Sequence, residues 1–292
     1  MKYHSRLYKD RSDYKKIKEL ISEIISIKGT PFYGGVGDFE FWASILSNKN
    51  DLLKSKLYFN KEDKLVAFFW PADSSFDVFM HPNYQDIFSQ IMTEYNPDSN
   101  ISKISCGVFS DENFKQKVLK ENDFKATNKY SIHYEYNIKK FKNDNLNLKQ
   151  NYKILPLYSL DSIDSKIECY KACFPGHQLN KSNYISMMKC SSYNQEFDLV
   201  MSNQNKKVIS FATIWIDTKN SIGVFEPVGT HRDFRGQGLA KLIITAGIKK
   251  LKENYIKKAY LKTGHNNHAA RALYKKLGFK EIAREYSWEK YF

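Results

Sequence analysis

The chain has 292 residues, of which 42% are hydrophobic, so it can form packed cores and wholesale disorder is excluded. The formal charge of +14 favours anionic partners, but the basic residues are scattered, which argues against dedicated nucleic-acid binding. No apolar run approaches the roughly 18 residues that span a bilayer, and no apolar signal core opens the chain. We therefore expect a cytoplasmic protein without a membrane partner.

Four cysteines are scattered through the sequence, at Cys106, Cys169, Cys173 and Cys190. Cys169 and Cys173 are one helical turn apart, but no second Cys or His pair with zinc-site spacing accompanies them. We interpret them as reduced, mostly buried thiols and predict no metal site.

The first half of the chain alternates predicted helices and strands. Helical periodicity identifies the helices, and alternation of apolar and polar residues identifies the strands. In chain order we predict a helix at 12–27, strands at 56–60 and 64–70, a strand, turn and helix at 75–95, a strand at 101–109, a helix at 111–122 and a pair of strands at 123–138.

The second half repeats this order more clearly. A polar, Asn-rich stretch separates the halves, so we predict domains at 1–140 and 151–292 with a linker at 141–150. In chain order the second half holds a strand at 152–157, helices at 160–174 and 181–190, a hairpin at 197–202 and 207–217, a strand at 221–230, a helix at 238–253, a strand at 257–264, a helix at 267–278 and one or two strands at 280–292.

Short sequence motifs also recur between the halves. HPNYQD at 81–86 corresponds to HRDFRG at 231–236, and VLKENDF at 118–124 corresponds to LYKKLGF at 273–279. We interpret the chain as a diverged internal duplication of mixed α/β (α+β) class.

The segment RGQGLA, residues 235–240, follows a predicted strand and opens a helix. A helix N-terminus offers unpaired N–H groups and partial positive charge, and glycines let a phosphate come close. A Walker loop is excluded because no Gly-Lys-Ser/Thr is present. A dinucleotide fingerprint is disfavoured because Lys241 stands where a small residue is needed. A plain helix-start turn stays open on this segment alone.

Residues on both sides of this segment favour one interpretation of it, a site for a phosphate-containing cosubstrate. Arg235-x-x-Gly238-x-Ala240 resembles the coenzyme A loop of the GNAT superfamily of N-acetyltransferases. The family's closing motif is similar to Asn267, Ala270, Leu273, Tyr274, Gly278 and Phe279, and FEPVGTH at 225–231 resembles the strand before the loop. The resemblance covers 152–292 well and the first half in outline. It implies two tandem GNAT-like domains, each a mostly antiparallel central sheet flanked by helices.

The resemblance also implies acetyl-CoA as cosubstrate and no metal. By the family pattern, the diphosphate would lie on the loop and the pantetheine along the preceding strand, which splays from its neighbour. The implied binding residues are Val228, Thr230, Arg235, Gly236, Gln237, Gly238, Leu239, Ala240 and Asn267.

Acetyl transfer to a primary amine needs a base, because alkyl ammonium groups titrate near 10.4. Direct transfer through a tetrahedral intermediate also needs an acid for the leaving thiolate. By family position we predict Tyr274 as the acid and Glu226 as the base. The family's alternative base position falls near Lys262, which cannot serve while charged. The C-terminal carboxylate of Phe292 and a water chain stay open as bases.

The first half lacks this machinery, since 81–90 carries no glycine and Leu119 stands where the second half has Tyr274. We predict a degenerate N-terminal domain that shapes the acceptor pocket. His177 and His265 are weaker candidates for contact with the acceptor. A non-catalytic CoA-binding module and an aminoacyl-tRNA-dependent peptide transferase stay as alternatives. The sequence does not identify the small-molecule or peptide amine acceptor, or decide between monomer and homodimer.

Overall fold

One mixed sheet runs through the molecule, with helices packed on both faces. The computed structural model describes residues 2–31, 35–45, 52–142, 148, 151–176 and 179–292. The strands in this part of the chain are β1 His4–Leu7, β2 Lys56–Phe59, β3 Leu65–Pro71, β4 Ser75–Met80, β5 Lys103–Phe109, β6 Lys125–Asn137, β7 Lys153–Pro156, β8 Asp198–Ser202, β9 Val208–Asp217, β10 Ile222–Thr230, β11 Lys258–Gly264 and β12 Lys280–Tyr291. The helices are α1 Arg11–Lys28, α2 Gly35–Ile45, α3 Ile87–Glu94, α4 Asn113–Glu121, α5 Asp164–Cys173, α6 Lys181–Met188, α7 Leu239–Glu253 and α8 His268–Leu277.

Helix boundaries follow local capping chemistry. The Asp10 carboxylate accepts the first free N–H groups of α1, and Gly29 ends that helix in the left-handed conformation. In the second half, Asn267 caps α8 at its start and Gly278 ends it, again left-handed. These signals can be read from the sequence, and the predicted helices at these positions are confirmed.

The two halves exchange their last strands. The strand order is β1-β2-β3-β4-β5-β12-β6-β11-β10-β9-β8-β7, mostly antiparallel. β12, at the end of the second half, pairs with β5 of the first half, and β6 of the first half pairs with β11 of the second. Trp288 therefore joins the core of the first half, and Tyr134 joins that of the second. The α+β class is confirmed, and each half gives a strand to the sheet of the other.

The predicted elements need correction at three places, the first being strand β1, which was not predicted. We predicted two strands at 123–138, but β6 is one strand of 13 residues, because it pairs with β11 on one edge and β12 on the other. The sequence prediction also missed α2, whose segment GVGDFEFWASI has no polar face that would show a helical period. Most of the predicted linker, 143–147 and 149–150, lies outside the described residues, and the domain limits stay a prediction.

Helix α2 belongs to the first half but packs on the second. It contacts α6, β9 and β10. Gly37 lies so close to the Trp215 ring that a Cβ atom there would be 2.2 Å from it. This close approach brings the next residue, Asp38, to the centre of the molecule, where its side chain is buried.

None of the helices in the described ranges combines the length and the apolar character that crossing a membrane requires.

Candidate active site

The centre of the second half contains a gap between β10 and β11. These parallel strands pair only at Ile222, Gly223 and Val224, and then diverge. Beyond Val224, β10 stays paired with β9 on its other side, apart from a bulge between Phe225 and Val228. The predicted splay is therefore present, and residues 225–230 form the edge of what we call the β10–β11 gap.

Glu226 lies at the bulge, on the edge of this gap. Its backbone carbonyl accepts a hydrogen bond from the Trp215 indole N–H at 2.7 Å. Its side chain lines a void of about 20 Å³, shared with Asp38, Tyr134 and Lys262. This volume is large enough for one water molecule. The tertiary fold thus gives the predicted base both a fixed backbone and a small polar chamber.

The electrostatics of this chamber favour a base that works near neutral pH. Burial and the negative charge of Asp38 raise the pKa of Glu226 to about 7, and Lys262 opposes the shift. The Asp38 carboxylate also accepts a hydrogen bond from the Lys262 ammonium at 2.9 Å. Burial lowers the pKa of Lys262, but Asp38, Glu226 and Glu285 more than offset it, so its net pKa is raised. Lys262 stays charged, as the sequence analysis assumed for the alternative base position.

The glycine loop lies at the end of β10 and opens α7. Gly236 and Gly238 have φ values of +77° and +75°, which only glycine adopts readily. No side chain of the described residues caps the helix, and 235–238 are exposed. The Arg235 guanidinium donates to the Thr230 carbonyl at 3.3 Å, which folds the loop back against the strand. The first N–H groups of α7 therefore face solvent beside an arginine.

This loop fits the diphosphate of coenzyme A. An uncapped N-terminus on a helix of 15 residues carries partial positive charge, and the left-handed glycines keep Cβ atoms away from it. Val228 and Thr230 lie on the edge of the β10–β11 gap, where β11 leaves their strand unpaired on that side. Gln237 accepts a hydrogen bond from the Tyr152 hydroxyl at 3.4 Å. Leu239 and Ala240 form the first turn of α7.

Tyr274 lies on α8 and is 7% exposed. Its ring packs edge-on against Tyr134 at 5.6 Å between centroids. Burial and then the nearby charge of Glu226 raise the pKa of Tyr274, so its phenol is protonated at neutral pH. No hydrogen bond from the described part of the chain engages that hydroxyl. The predicted acid and base are therefore close enough to influence each other, and the acid has a proton to give.

Asn267 is the N-cap of α8, because its side-chain oxygen accepts a hydrogen bond from the Ala270 N–H at 3.2 Å. Its predicted contact with pantetheine stays a prediction. His265 stacks on Tyr130 at 4.7 Å, and His177 lies outside the described residues.

The C-terminal carboxylate lies far from the site. The N–H of Phe292 donates to the Ser102 carbonyl of the first half. Phe292 lies nine positions beyond Ala283 along the chain, and Ala283 pairs with His133 near the gap. At about 3.3 Å per residue this is roughly 30 Å, so Phe292 cannot reach a substrate at Glu226.

Asp38 is the main site residue that the sequence analysis missed. It lines the chamber of Glu226 and binds Lys262, although it comes from the first half. In its segment, GVGDFEFWASI, Asp38 follows two glycines and precedes Glu40 among apolar residues, a pattern that does not reveal the partner of either carboxylate. In the part of the chain that the structure describes, no group of three or more His, Cys, Asp or Glu could hold a metal ion.

Comparison with known proteins agrees with this geometry. Residues 164–279 match the model of the acetyltransferase (GNAT) family. No curated protein matches the chain. Among solved structures, a GCN5-related N-acetyltransferase from Sphaerobacter thermophilus has a TM-score of 0.64 at 12% identity and covers 99% of this chain and 96% of its own.

Two further solved structures span the whole chain. A tandem GNAT protein from the clavulanic acid biosynthesis pathway has a TM-score of 0.63 at 10% identity, covering 99% of this chain and 98% of its own. A GNAT-family acetyltransferase from Colwellia psychrerythraea has a TM-score of 0.62 at 16% identity, covering 98% and 99%. Residues 164–279 therefore carry the sequence pattern of the acetyltransferase (GNAT) family, and the chain as a whole has the fold of the tandem GNAT structure.

Proposed function

We propose that this protein is an N-acetyltransferase that moves an acetyl group from acetyl-CoA directly to a primary amine. One observation carries the proposal. Glu226, a carboxyl group with a pKa of about 7, lies at the β10–β11 gap of a GNAT domain whose α7 begins uncapped behind two glycines. A base and a site for an anionic cosubstrate thus lie at the two ends of one strand segment.

The residues that would hold acetyl-CoA come from β10, the loop and α8. The exposed N–H groups at the start of α7 and the Arg235 side chain suit the diphosphate, and Val228 and Thr230 offer the free strand edge to the pantetheine. Asn267 completes the set in this proposal. When bound, acetyl-CoA supplies the acetyl group as a reactive thioester.

Glu226 takes the proton from the amine. Because its pKa is about 7, it is partly ionised at neutral pH and is still basic enough to accept a proton. The void of about 20 Å³ beside it has room for one water, which we propose carries the proton between amine and carboxylate. Tyr134 lines this void, and because its hydroxyl has no hydrogen-bond partner among the described residues, we propose that it turns to bind that water.

Tyr274 donates a proton to the leaving thiolate. Its raised pKa keeps the phenol protonated, and a thiol titrates near 8.5, so the thiolate needs such a donor to leave efficiently at neutral pH. Lys262 remains an ammonium and is held by Asp38, so it orders the chamber and is not a base.

An acceptor panel tests the proposal. Purified protein is incubated with acetyl-CoA and primary amines of several classes, and thiol release is measured alongside calorimetric binding of CoA. We expect CoA binding and amine-dependent thiol release that Glu226→Gln reduces. Binding without release for every amine would favour a non-catalytic CoA-binding module, and absence of CoA binding would contradict the proposal. The oligomeric state and the cytoplasmic localisation stay predictions.

A further inference from the structure

A cavity of about 280 Å³ adjoins the chamber of Glu226. It lies between α2 and the strands β3, β4, β11 and β12, and we call it the α2 cavity. Aromatic side chains form much of its lining, namely Phe39, Trp42, Trp70, Phe76 and Phe79. Its volume suits a small organic molecule, and aromatic faces attract alkylammonium groups as well as methylene chains.

The charge of the α2 cavity is predominantly negative. Asp38, Asp77 and Glu285 line it together with a single cation, Lys262. Two of the carboxylates have partners, because Asp38 binds Lys262 and Glu285 lies 3.1 Å from the His133 imidazole. Lining groups of one sign in an enclosed space concentrate ions of the opposite sign. The cavity therefore suits a cationic ligand.

Asp77 is the lining carboxylate that is open to solvent. It projects into the α2 cavity, and across the described part of the chain neither a hydrogen bond nor an ion pair engages it. Partial desolvation in the cavity, and then the charge of Glu285, raise the pKa of Asp77 against the opposing charges of Lys262 and Lys115. An acid held beside another acid, without a partner, is stabilised by a bound cation.

The α2 cavity is adjacent to the chamber of Glu226. Asp38 and Lys262 line both spaces, so they lie between Asp77 and Glu226. A flexible chain that starts at Asp77 can therefore extend past these two residues toward the β10–β11 gap. The ammonium of Lys262 is already neutralised by Asp38 and leaves the two outer carboxylates to act on a ligand.

We propose that the α2 cavity binds the acceptor and that the acceptor is a diamine, with one ammonium between Asp77 and Glu285 and the other amine delivered to Glu226. The proposal rests on the proposed acetyltransferase function and adds the class of substrate. The aromatic residues pack on the methylene chain, and the outer carboxylates select against amines with a single charge. The first half of the molecule, which supplies Asp77 and α2, thereby sets the specificity of the second.

The test compares α,ω-diaminoalkanes of three to ten carbons with n-alkylamines of the same length. Binding is measured by calorimetry in the presence of CoA, and KM and kcat are measured by thiol release from acetyl-CoA. We expect at least one diamine to bind about 10- to 100-fold more tightly than its monoamine, the range expected for a charge-assisted contact. Asp77→Asn should remove most of this preference by raising KM for the diamine, with little change in kcat.

Asp73→Asn is the matched control, because this exposed aspartate lies on the same hairpin but outside the α2 cavity. It should keep the diamine preference. Equal binding of diamines and monoamines, or an Asp77→Asn variant with unchanged preference, would overturn the inference even if acetyl transfer is observed. Diamine binding that depends on Asp77 but yields no thiol would uphold the cavity assignment and contradict the proposed transfer.

Discussion

The two halves of this molecule share a frame and differ at the positions that bind and react. His81 follows β4 in the first half, and His231 follows β10 in the second. The backbone N–H of each histidine donates to a carbonyl of the neighbouring strand at 2.9 Å. Each histidine ring nitrogen then accepts the N–H two residues later. Later in each half, the Phe124 N–H donates to Leu119 and the Phe279 N–H to Tyr274, both at 3.0 Å. The aligned segments are thus equivalent in space.

The two halves differ at the start of the helix that follows each histidine, α3 in the first half and α7 in the second. Where α7 begins behind two left-handed glycines, α3 begins behind Asp86, whose carboxylate binds Lys2 and Tyr3. A carboxylate at this point repels a diphosphate. Leu119 likewise stands where the second half has Tyr274, the proposed acid. The first half keeps the fold because backbone pairing and apolar packing maintain it, whereas each chemical function depends on one or two side chains.

One carboxylate persists in both halves. Trp70 lies four residues after Val66, which accepts the His81 N–H, and pairs with Asp77. Thr213 lies four residues after Ile209, which accepts the His231 N–H, and is opposite the bulge at Glu226 and Pro227. Asp77 and Glu226 therefore hold corresponding positions. β4 and β5 pair only at two positions before they diverge, as β10 and β11 do after three. The first half thus keeps a gap and an acid without the phosphate loop, which is consistent with a binding role in place of catalysis.

The largest expected effect is on CoA binding at the start of α7, where the two halves differ most. Gly238→Glu should weaken CoA binding at least about 100-fold, because it adds negative charge at the diphosphate site and forces an L residue into a left-handed conformation that costs roughly 1–2 kcal/mol. Calorimetry on the wild type should give one CoA per chain. Gly29→Glu is the matched control, since Gly29 has φ +71° and, like Gly238, nothing within 4 Å of its Cβ position. A stoichiometry of two would refute the contrast between the halves.

The next largest effect is on kcat/KM, and it compares substitution of Glu226 with substitution of Asp77. Glu226→Gln should lower kcat/KM by about 10²- to 10⁴-fold, the usual contribution of a general base. The wild-type kcat/KM should rise with pH through about 7, because only the deprotonated carboxylate accepts the amine proton. Glu226→Gln should lose this limb and keep a rate that increases with free amine. Asp77→Asn should retain the limb, and a Glu226→Gln variant with the wild-type pH profile would show that the base lies elsewhere.

The smallest effect compares Tyr274 with Leu119. Tyr274→Phe removes one hydroxyl, so kcat should fall by about 10²-fold while CoA affinity stays nearly unchanged. The double variant with Glu226→Gln should lose less than the sum of the two, because both groups serve one reaction step. Tyr58→Phe, which removes a buried hydroxyl from β2, is the control and should keep kcat. Unchanged kcat in Tyr274→Phe would leave Tyr274 with a packing role, like that of Leu119.

Local signals in the sequence determined much of the second half. Gly236 and Gly238 mark a left-handed turn before a helix, and the structure has both residues at positive φ. Asn267 and Gly278 mark the ends of α8. These features depend on residues within a few positions of one another, so a single sequence records them. The splay of β10 from β11 followed from the family resemblance and is present.

Only the tertiary structure decided what the first half contributes. The exchange of β6 and β12 has no local signal, because a strand pattern does not state which edge the strand will pair with. Asp38 lies 188 residues before Glu226 in sequence, and only the packing of Gly37 on Trp215 brings them together. The raised pKa of Glu226 follows from that burial and that neighbour, so the sequence by itself supplied the carboxyl group, and the fold brought its pKa close to neutral pH.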